Sequence, residues 1–227
     1  MESNMNKITT SKQAITTFCV TALTLIAATA AISQAPARRD SAIAYDDIRA
    51  GACSTTDAGV GAVTLNTPSN AVLFNRTFRG QPNPNFCTPV LNPNGIQMTL
   101  GQFAAVSGQA GIKCISKGTH AALSFTGLRP GGVYTVWNIL FSPTPGPPIG
   151  VGGIGGSGNS FIADENGEAE IGRTTAEGAL SFFGVAGPCL LDSGFVLEVL
   201  YHSDGNTYGP TPGPLNTIVT NARFFYL

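Results

Sequence analysis

Charged side chains are scarce in this sequence. They make up 11% of the chain, and only two histidines, His120 and His202, are present. Without Glu2, Lys7 and Lys12, which precede or flank the first apolar run, the 12 basic and 13 acidic residues fall to 10 and 12, a net charge of −2. Binding to phosphate groups requires clustered basic side chains, which this chain lacks, so nucleic acids and anionic membrane surfaces are not expected partners.

The sequence has only one long apolar run, which lies near the N-terminus. It follows Lys7 and Lys12, contains no acidic residue, and ends in Ala35-Pro36-Ala37. A basic start, an apolar centre and an Ala-x-Ala end are typical of a secretory signal peptide. We predict a helical signal peptide over residues 1–37, cleaved after Ala37 or, alternatively, after Ala30. No later run reaches that length without a charge, proline or glycine, so no membrane insertion is expected after cleavage.

Cysteines are few, and none forms a C-x-x-C pair, which disfavours a zinc ribbon or a thioredoxin-type site. Four remain beyond the signal: Cys53, Cys87, Cys114 and Cys189. An even number in an exported chain predicts two disulfides. Three pairings are open. We favour Cys87–Cys114 with Cys53–Cys189, since each bridge would fasten a Pro/Gly-rich loop or the N-terminal segment to a strand.

Helical periodicity is nearly absent after the signal, and short alternating runs rich in β-branched and aromatic residues take its place. Turn residues separate these runs, as the 28 glycines and 15 prolines indicate. This pattern predicts one antiparallel β-sandwich, immunoglobulin-like or jelly-roll-like, over residues 59–227. Residues 38–58 are predicted to be a surface lead-in. Asn166-Gly167 predicts a hairpin turn, and residues 142–159 a long connection without regular structure.

One stretch, "GLRPGGVYTVWN" at residues 127–138, carries turn residues, a strand and the only tryptophan. Its Leu128, Pro130 and Tyr134 resemble the tyrosine corner of fibronectin type III and immunoglobulin-like domains. The segment is also similar to segments of exported β-sandwich proteins without an assigned activity. The resemblance implies a structural corner, including Trp137, in which the Tyr134 hydroxyl group bonds to nearby backbone.

Motifs of catalysis are missing. The sequence has no G-x-S-x-G elbow, phosphate loop or dinucleotide fingerprint, and its carboxylates lie on strand faces where such residues are ordinary. The remaining candidate is a metal site of His120, His202 and Asp204. Imidazole and carboxylate groups suit Zn, Cu or Fe. This hypothesis requires the two histidine-bearing strands to be neighbours.

Together these features predict a secreted, periplasmic or surface-exposed domain that is non-catalytic, needs no cofactor, and binds a protein or carbohydrate ligand or serves a structural role. The alternative is a metal-binding extracytoplasmic protein or enzyme that uses His120 and His202. In a eukaryotic host, Asn75-Arg76-Thr77 would be an N-glycosylation acceptor.

Overall fold

The computed structural model describes residues 35–50, 61–75, 88–116, 118–140, 150–155, 158–176, 189–214 and 216–227. Residues 1–34 of the predicted signal peptide lie outside these residues, as do Cys53 and Cys87. Within them the chain is almost entirely β-structure, with one short helix, α1 (Leu100–Phe103), and two 3₁₀ turns, Tyr45–Asp47 and Leu190–Asp192. No helix among the described residues is long and apolar enough to cross a membrane.

Thirteen strands in the described residues form three antiparallel sheets. In spatial order, the first sheet contains β1 (Ala37–Asp40), β6 (Ser107–Ile115), β7 (Gly118–Thr126) and β11 (Ala169–Ala176). The second contains β10 (Ser160–Ile162), β8 (Val133–Leu140), β12 (Phe195–His202), β13 (Ile218–Tyr226) and β2 (Ala42–Ile43), with β9 (Gly150–Gly153) also paired to β8. The third contains β4 (Gly61–Ala62), β3 (Ile48–Ala50) and β5 (Leu73–Asn75). The predicted all-β antiparallel sandwich is confirmed.

The core lies between the inner faces of the first and second sheets. In β7, Ala121, Leu123 and Phe125 are buried while the residues between them are exposed, as a half-buried strand requires. All eight residues of β12 are buried. A second, smaller apolar cluster of Trp137, Leu200 and Ile218 lies on the outer side of the second sheet. The first sheet therefore has one open face, whereas the central strand of the second sheet is buried on both.

Residues 38–50 of the segment predicted to be a surface lead-in instead contribute strands to the sheets, and residues 51–58 lie outside the described residues. β1 pairs with β6 in the first sheet, and β2 pairs with β13 in the second. The change of sheet occurs at Ser41, whose N–H donates to the Gly108 carbonyl and whose hydroxyl accepts from the Gly108 N–H. Short strands such as these take their pairing from distant partners, so local sequence pattern does not distinguish them from an exposed lead-in.

The Asn166-Gly167 turn is present, but the predicted hairpin is wrong. The Gly167 N–H donates to the Asp164 carbonyl, and the Asp164 side chain accepts from the backbone of Asn166 and Glu168. The flanking strands β10 and β11 belong to different sheets. The turn is held by the loop between β7 and β8, because the Leu128 N–H donates to the Gly167 carbonyl.

The connection over residues 142–159 also differs from the prediction, since its residues 150–153 form β9 along Trp137–Leu140 of β8. Glycine-rich segments are poor strand formers on their own. Here β8 supplies the backbone partners that fix the strand.

The favoured disulfide pairing is wrong, because Cys114 at the end of β6 is bonded to Cys189, 75 residues later in the chain. The bridge joins the first sheet to the 3₁₀ turn Leu190–Asp192, which leads into β12. The Leu190 N–H donates to the Thr119 hydroxyl beside this bridge. The fold brings the two cysteines together through strand pairings that cysteine spacing does not encode.

Candidate functional site

The predicted tyrosine corner is formed between β7 and β8. The hydroxyl group of Tyr134 accepts a hydrogen bond of 2.9 Å from the backbone N–H of Arg129. Tyr134 and Leu128 are buried, while Pro130 is exposed at the tip. Burial raises the pKa of the Tyr134 phenol well above its usual range. A buried, neutral phenol tied to backbone is a structural element.

Trp137 is not part of that corner. Residues three apart on a strand point to opposite faces, so Trp137 lies on the outer side of β8 while Tyr134 faces the core. The Trp137 indole N–H donates to the Thr135 hydroxyl over 2.8 Å. Trp137 is 3% exposed and packs against Leu200 and Ile218. A buried ring in this position does not line an open binding surface.

The three-residue metal hypothesis is wrong. β7, which carries His120, lies in the first sheet, and β12, which carries His202, lies in the second. His120 is partly exposed and its Nδ1 atom lies 3.2 Å from the Thr174 hydroxyl. No group of three His, Cys, Asp or Glu residues in the described part of the chain is placed to hold a metal ion. The two strands carry alternating patterns of the same kind, and pattern alone does not assign them to separate sheets.

His202 is the centre of a polar cluster at the end of β12, the His202 cluster, formed with Thr135, Trp137, Asp204 and Tyr208. The His202 Nε2 atom lies 2.8 Å from the Thr135 hydroxyl oxygen. The Tyr208 ring stacks on the imidazole with centroids 6.3 Å apart, and the Tyr208 hydroxyl donates to Asp204. His202 is 1% exposed, and its Nδ1 atom has no hydrogen-bond partner among the described residues.

The pKa values of His202 and Asp204 in this cluster are both lowered. Burial lowers the pKa of His202, against the smaller opposing effect of the Asp204 carboxylate. Partial burial acts to raise the pKa of Asp204, but hydrogen bonds from Tyr208 and Asn206 outweigh it and lower that pKa. At neutral pH the cluster therefore contains a neutral imidazole and an ionised carboxylate.

Thr135, His202 and Asp204 are the residue types of a hydrolase triad, a hydroxyl nucleophile, a base and a carboxylate that orients the base, but the geometry does not suit that chemistry. Thr135 is 2% exposed, and its oxygen already accepts the Trp137 indole N–H. The His202 Nδ1 atom makes no hydrogen bond to Asp204. A nucleophile needs access to substrate and a base oriented by a third group. The His202 cluster meets neither requirement.

A second candidate is an open groove on the outer face of the first sheet, the outer groove, with a volume of about 580 Å³. Its floor is formed by three small residues in register across neighbouring strands, Gly111, Ala122 and Gly172. Hydrogen-bonding side chains surround this floor: Lys113 and His120 lie toward one end, Gln109, Ser124 and Glu170 toward the other, and Arg38 lies beside Gly111 on β1.

The outer groove continues beyond Glu170. A second depression of about 670 Å³ shares Gln109, Ser124 and Glu170 with the first and extends to Glu168 and the exposed side chain of Ile162. The side chains of Arg38, Lys113 and Glu170 make no ion pair within the described residues. The groove thus has basic residues on its β1 and β6 side and acidic Glu170 on its β11 side, with charges open to a ligand.

Sequence reasoning missed the outer groove and most of the His202 cluster. Gly111, Ala122 and Gly172 lie in three separate runs, and only the strand register brings them side by side. Thr135 and Tyr208 are ordinary residues of a strand and a turn. The alternating pattern of β7 did place Ser124 and His120 on one face, which was the one available signal.

No family model, curated protein or solved structure matches this chain. The outer groove and the His202 cluster are therefore the features from which a function can be inferred.

The N-glycosylation acceptor is not usable in this fold. Asn75 is 3% exposed, and its Nδ2 atom, which would carry the glycan, donates a 2.6 Å hydrogen bond to the Ile218 carbonyl. A glycan needs a surface position. Asn75 instead links the third sheet to β13.

Proposed function

We propose that this protein is a secreted, non-catalytic β-sandwich domain that binds an extended polar ligand, a protein segment or a carbohydrate chain, in the outer groove. The single observation that supports this most is the floor of Gly111, Ala122 and Gly172 between rows of hydrogen-bonding side chains. Small floor residues allow a ligand backbone or sugar ring to approach the sheet closely, and the flanking groups supply hydrogen bonds and charge.

The contrast between the two sheets supports a binding role for the first. On the outer side of the second sheet, Trp137, Leu200 and His202 are all buried. The outer face of the first sheet remains open along β6, β7 and β11. The buried charges of the second sheet have structural partners, since Arg223 pairs with Glu198. The side chains of Arg38, Lys113 and Glu170, which have no ion-pair partner among the described residues, by contrast line the outer groove.

Secretion is supported by the predicted signal peptide and by the Cys114–Cys189 bridge, since disulfides persist in oxidising compartments. Ala37, the first residue of β1, pairs with Ile112 of β6, and its carbonyl accepts a hydrogen bond from the Tyr226 hydroxyl. Cleavage after Ala30 would keep this strand intact, and we expect it in preference to cleavage after Ala37. N-terminal sequencing of the exported protein tests this, and an intact Met1 on cytoplasmic protein would contradict it.

The tyrosine corner supports an immunoglobulin-like classification.

The outer groove is tested by filling its floor. In Ala122→Tyr the new ring would lie over the neighbouring glycines Gly111 and Gly172, an arrangement that sheets tolerate. The matched control is Ala176→Tyr, which is exposed on the same sheet and also faces a glycine, Gly118, but does not line the groove. Purified wild-type protein is first screened against glycan and peptide arrays.

A ligand found on either array is then titrated by calorimetry against both variants. We expect Ala122→Tyr to weaken binding at least about tenfold, equivalent to about 1.4 kcal/mol, and Ala176→Tyr to leave it unchanged. Equal affinity for wild type and Ala122→Tyr would place binding elsewhere. The array that yields the ligand distinguishes a protein partner from a carbohydrate.

A further inference from the structure

The loop after β12, residues 203–214, is folded around the ring of Tyr208. One side of this ring stacks on His202, with centroids 6.3 Å apart. The ring also lies close to Gly213, where an added Cβ atom would be 2.2 Å from its Cδ2 atom. The Tyr208 hydroxyl donates to Asp204 within the same loop. The loop thus packs against the second sheet through the contact between Tyr208 and His202.

The hydrogen bonds of His202 suit a neutral imidazole. The Thr135 oxygen accepts from the Trp137 indole, and the Thr135 hydroxyl hydrogen has no acceptor among the described residues other than His202 Nε2, so we assign Thr135 as the donor to that atom. The ring proton then lies on Nδ1, a buried atom without a partner among the described residues. A protonated ring would carry hydrogens on both nitrogens. Thr135 would have to accept from both Trp137 and His202, and the Nδ1–H of a buried cation would still lack an acceptor.

Few groups around the ring can compensate such a charge. Strand β8 presents Thr135 and Trp137, and β13 presents Ile218, all of them uncharged. The loop presents Tyr208 and the carboxylate of Asp204, the one charged group among the described residues that acts on His202.

The nearest charged pair on β12 is Glu198 with Arg223, and it lies four residues away from His202, about 13 Å along the strand. The Asp204 carboxylate already accepts hydrogen bonds from the Tyr208 hydroxyl and the Asn206 N–H. A new bond from His202 Nδ1–H to Asp204 would compete with the bond that closes the loop.

We propose that His202 is an acid-sensitive latch: its protonation releases loop 203–214 from the second sheet, and neutral pH closes it. When the loop is released, water reaches and solvates the imidazolium. The outer side of β8 and β12 near Thr135 also becomes exposed. This inference is independent of ligand binding in the outer groove, which lies on the other sheet.

The expected pH dependence follows from proton linkage. In the open state the exposed imidazole titrates near its ordinary pKa of about 6.5, whereas in the closed state burial lowers that pKa. The closed state is therefore fully favoured above pH about 6.5 and loses stability as the pH falls. Between the two pKa values the opening constant rises about tenfold per pH unit, and below the lowered pKa it levels off.

Hydrogen exchange measured by mass spectrometry on the full mature protein tests the latch at pH 7.5, 6.5, 5.5 and 4.5, after correction for the intrinsic exchange rate. The reporters are the N–H groups of Ser203, Gly205 and Asn206, which are hydrogen-bonded in the closed loop. We expect their exchange to accelerate about tenfold per pH unit below pH 6.5. Protection of β7, whose backbone is paired on both sides, should not change.

The chain contains one other histidine, which provides a matched control. His120→Asn should keep the full pH dependence of the loop, and His202→Asn, which retains a polar group toward Thr135 without titrating, should abolish it. If His202→Asn does not fold, the NMR titration of the wild-type His202 ring is compared with loop exchange, and the pH at which loop exchange levels off should coincide with the titration midpoint of the ring. Loop exchange that is independent of pH in wild type, or a dependence lost in His120→Asn, would overturn the proposal.

Discussion

The Tyr134 hydroxyl oxygen lies 2.9 Å from the backbone nitrogen of Arg129, five residues earlier in the chain. The chain leaves β7 of the first sheet at Thr126, shortly before Arg129, and enters β8 of the second sheet at Val133, one residue before Tyr134. The same loop is closed by a hydrogen bond from the Gly132 N–H to the Arg129 carbonyl. The phenol thus fixes the crossover between the two sheets, with its ring stacked 5.2 Å from that of Phe161.

Removal of this hydroxyl should destabilise the fold. In Tyr134→Phe the Arg129 N–H loses its acceptor, and we expect the free energy of unfolding to fall by about 1–2 kcal/mol. Tyr45→Phe, at a ring that is 42% exposed, serves as the control and should change little. Urea unfolding followed by tryptophan fluorescence measures both. A Tyr134→Phe protein of wild-type stability with altered ligand binding would assign this stretch a binding role.

Replacement of Asn138 by an apolar residue should stabilise the protein. It is fully buried on the inner face of β8, paired with Leu197, and neither side-chain polar atom has a hydrogen-bond partner among the described residues. Asn138→Leu should raise the free energy of unfolding by about 1–3 kcal/mol, because an unpaired buried amide is costly.

The matched control for Asn138 is Asn221→Leu. Asn221 is also buried, but its Nδ2 atom donates to the Phe103 carbonyl over 3.0 Å, so this variant should lose a comparable amount of stability. Thermal unfolding of both variants gives the comparison. A destabilised Asn138→Leu protein would indicate that a bound water satisfies the Asn138 amide in the native protein.

The disulfide pattern should be Cys114–Cys189 with Cys53–Cys87. The first bridge is present in the structure, and it leaves one pairing for the two other cysteines of the mature chain, which lie outside the described residues. Trypsin places each cysteine in a separate peptide, residues 50–76, 80–113, 114–117 and 174–223. Non-reduced peptide mapping by mass spectrometry should find two linked pairs. Two free thiols, or a link from residues 80–113 to 114–117, would contradict the prediction.

Two glycines with the same backbone conformation should respond differently to substitution. Gly95 and Gly167 both have φ of +74°, but an added Cβ atom meets nothing at Gly95 and lies 2.3 Å from the Leu128 carbonyl oxygen at Gly167. Gly95→Ala should cost about 1–2 kcal/mol for the left-handed conformation alone. Gly167→Ala should cost about a further 1–3 kcal/mol, because the backbone of the corner must move. Equal losses in denaturant unfolding would show that the turn does not hold the corner.

Local patterns of the sequence determined which side chains face inward and where the chain turns. The alternation in "HAALSFT" predicted the buried Ala121, Leu123 and Phe125, because successive side chains of a strand point to opposite faces whatever their partner. The Tyr134–Arg129 contact was also predictable, since both residues belong to one short loop. Asn166-Gly167 predicted a turn correctly for the same reason.

Only the tertiary structure decided which strands are neighbours. His120 and His202 lie in different sheets, Cys114 pairs with Cys189, residues 37–50 join all three sheets, and the outer groove forms where Gly111, Ala122 and Gly172 meet. Backbone hydrogen bonds are the same in every antiparallel pair, so they do not select a partner. The selection comes from packing of the whole core, which depends on residues far apart in the chain and has no local signature.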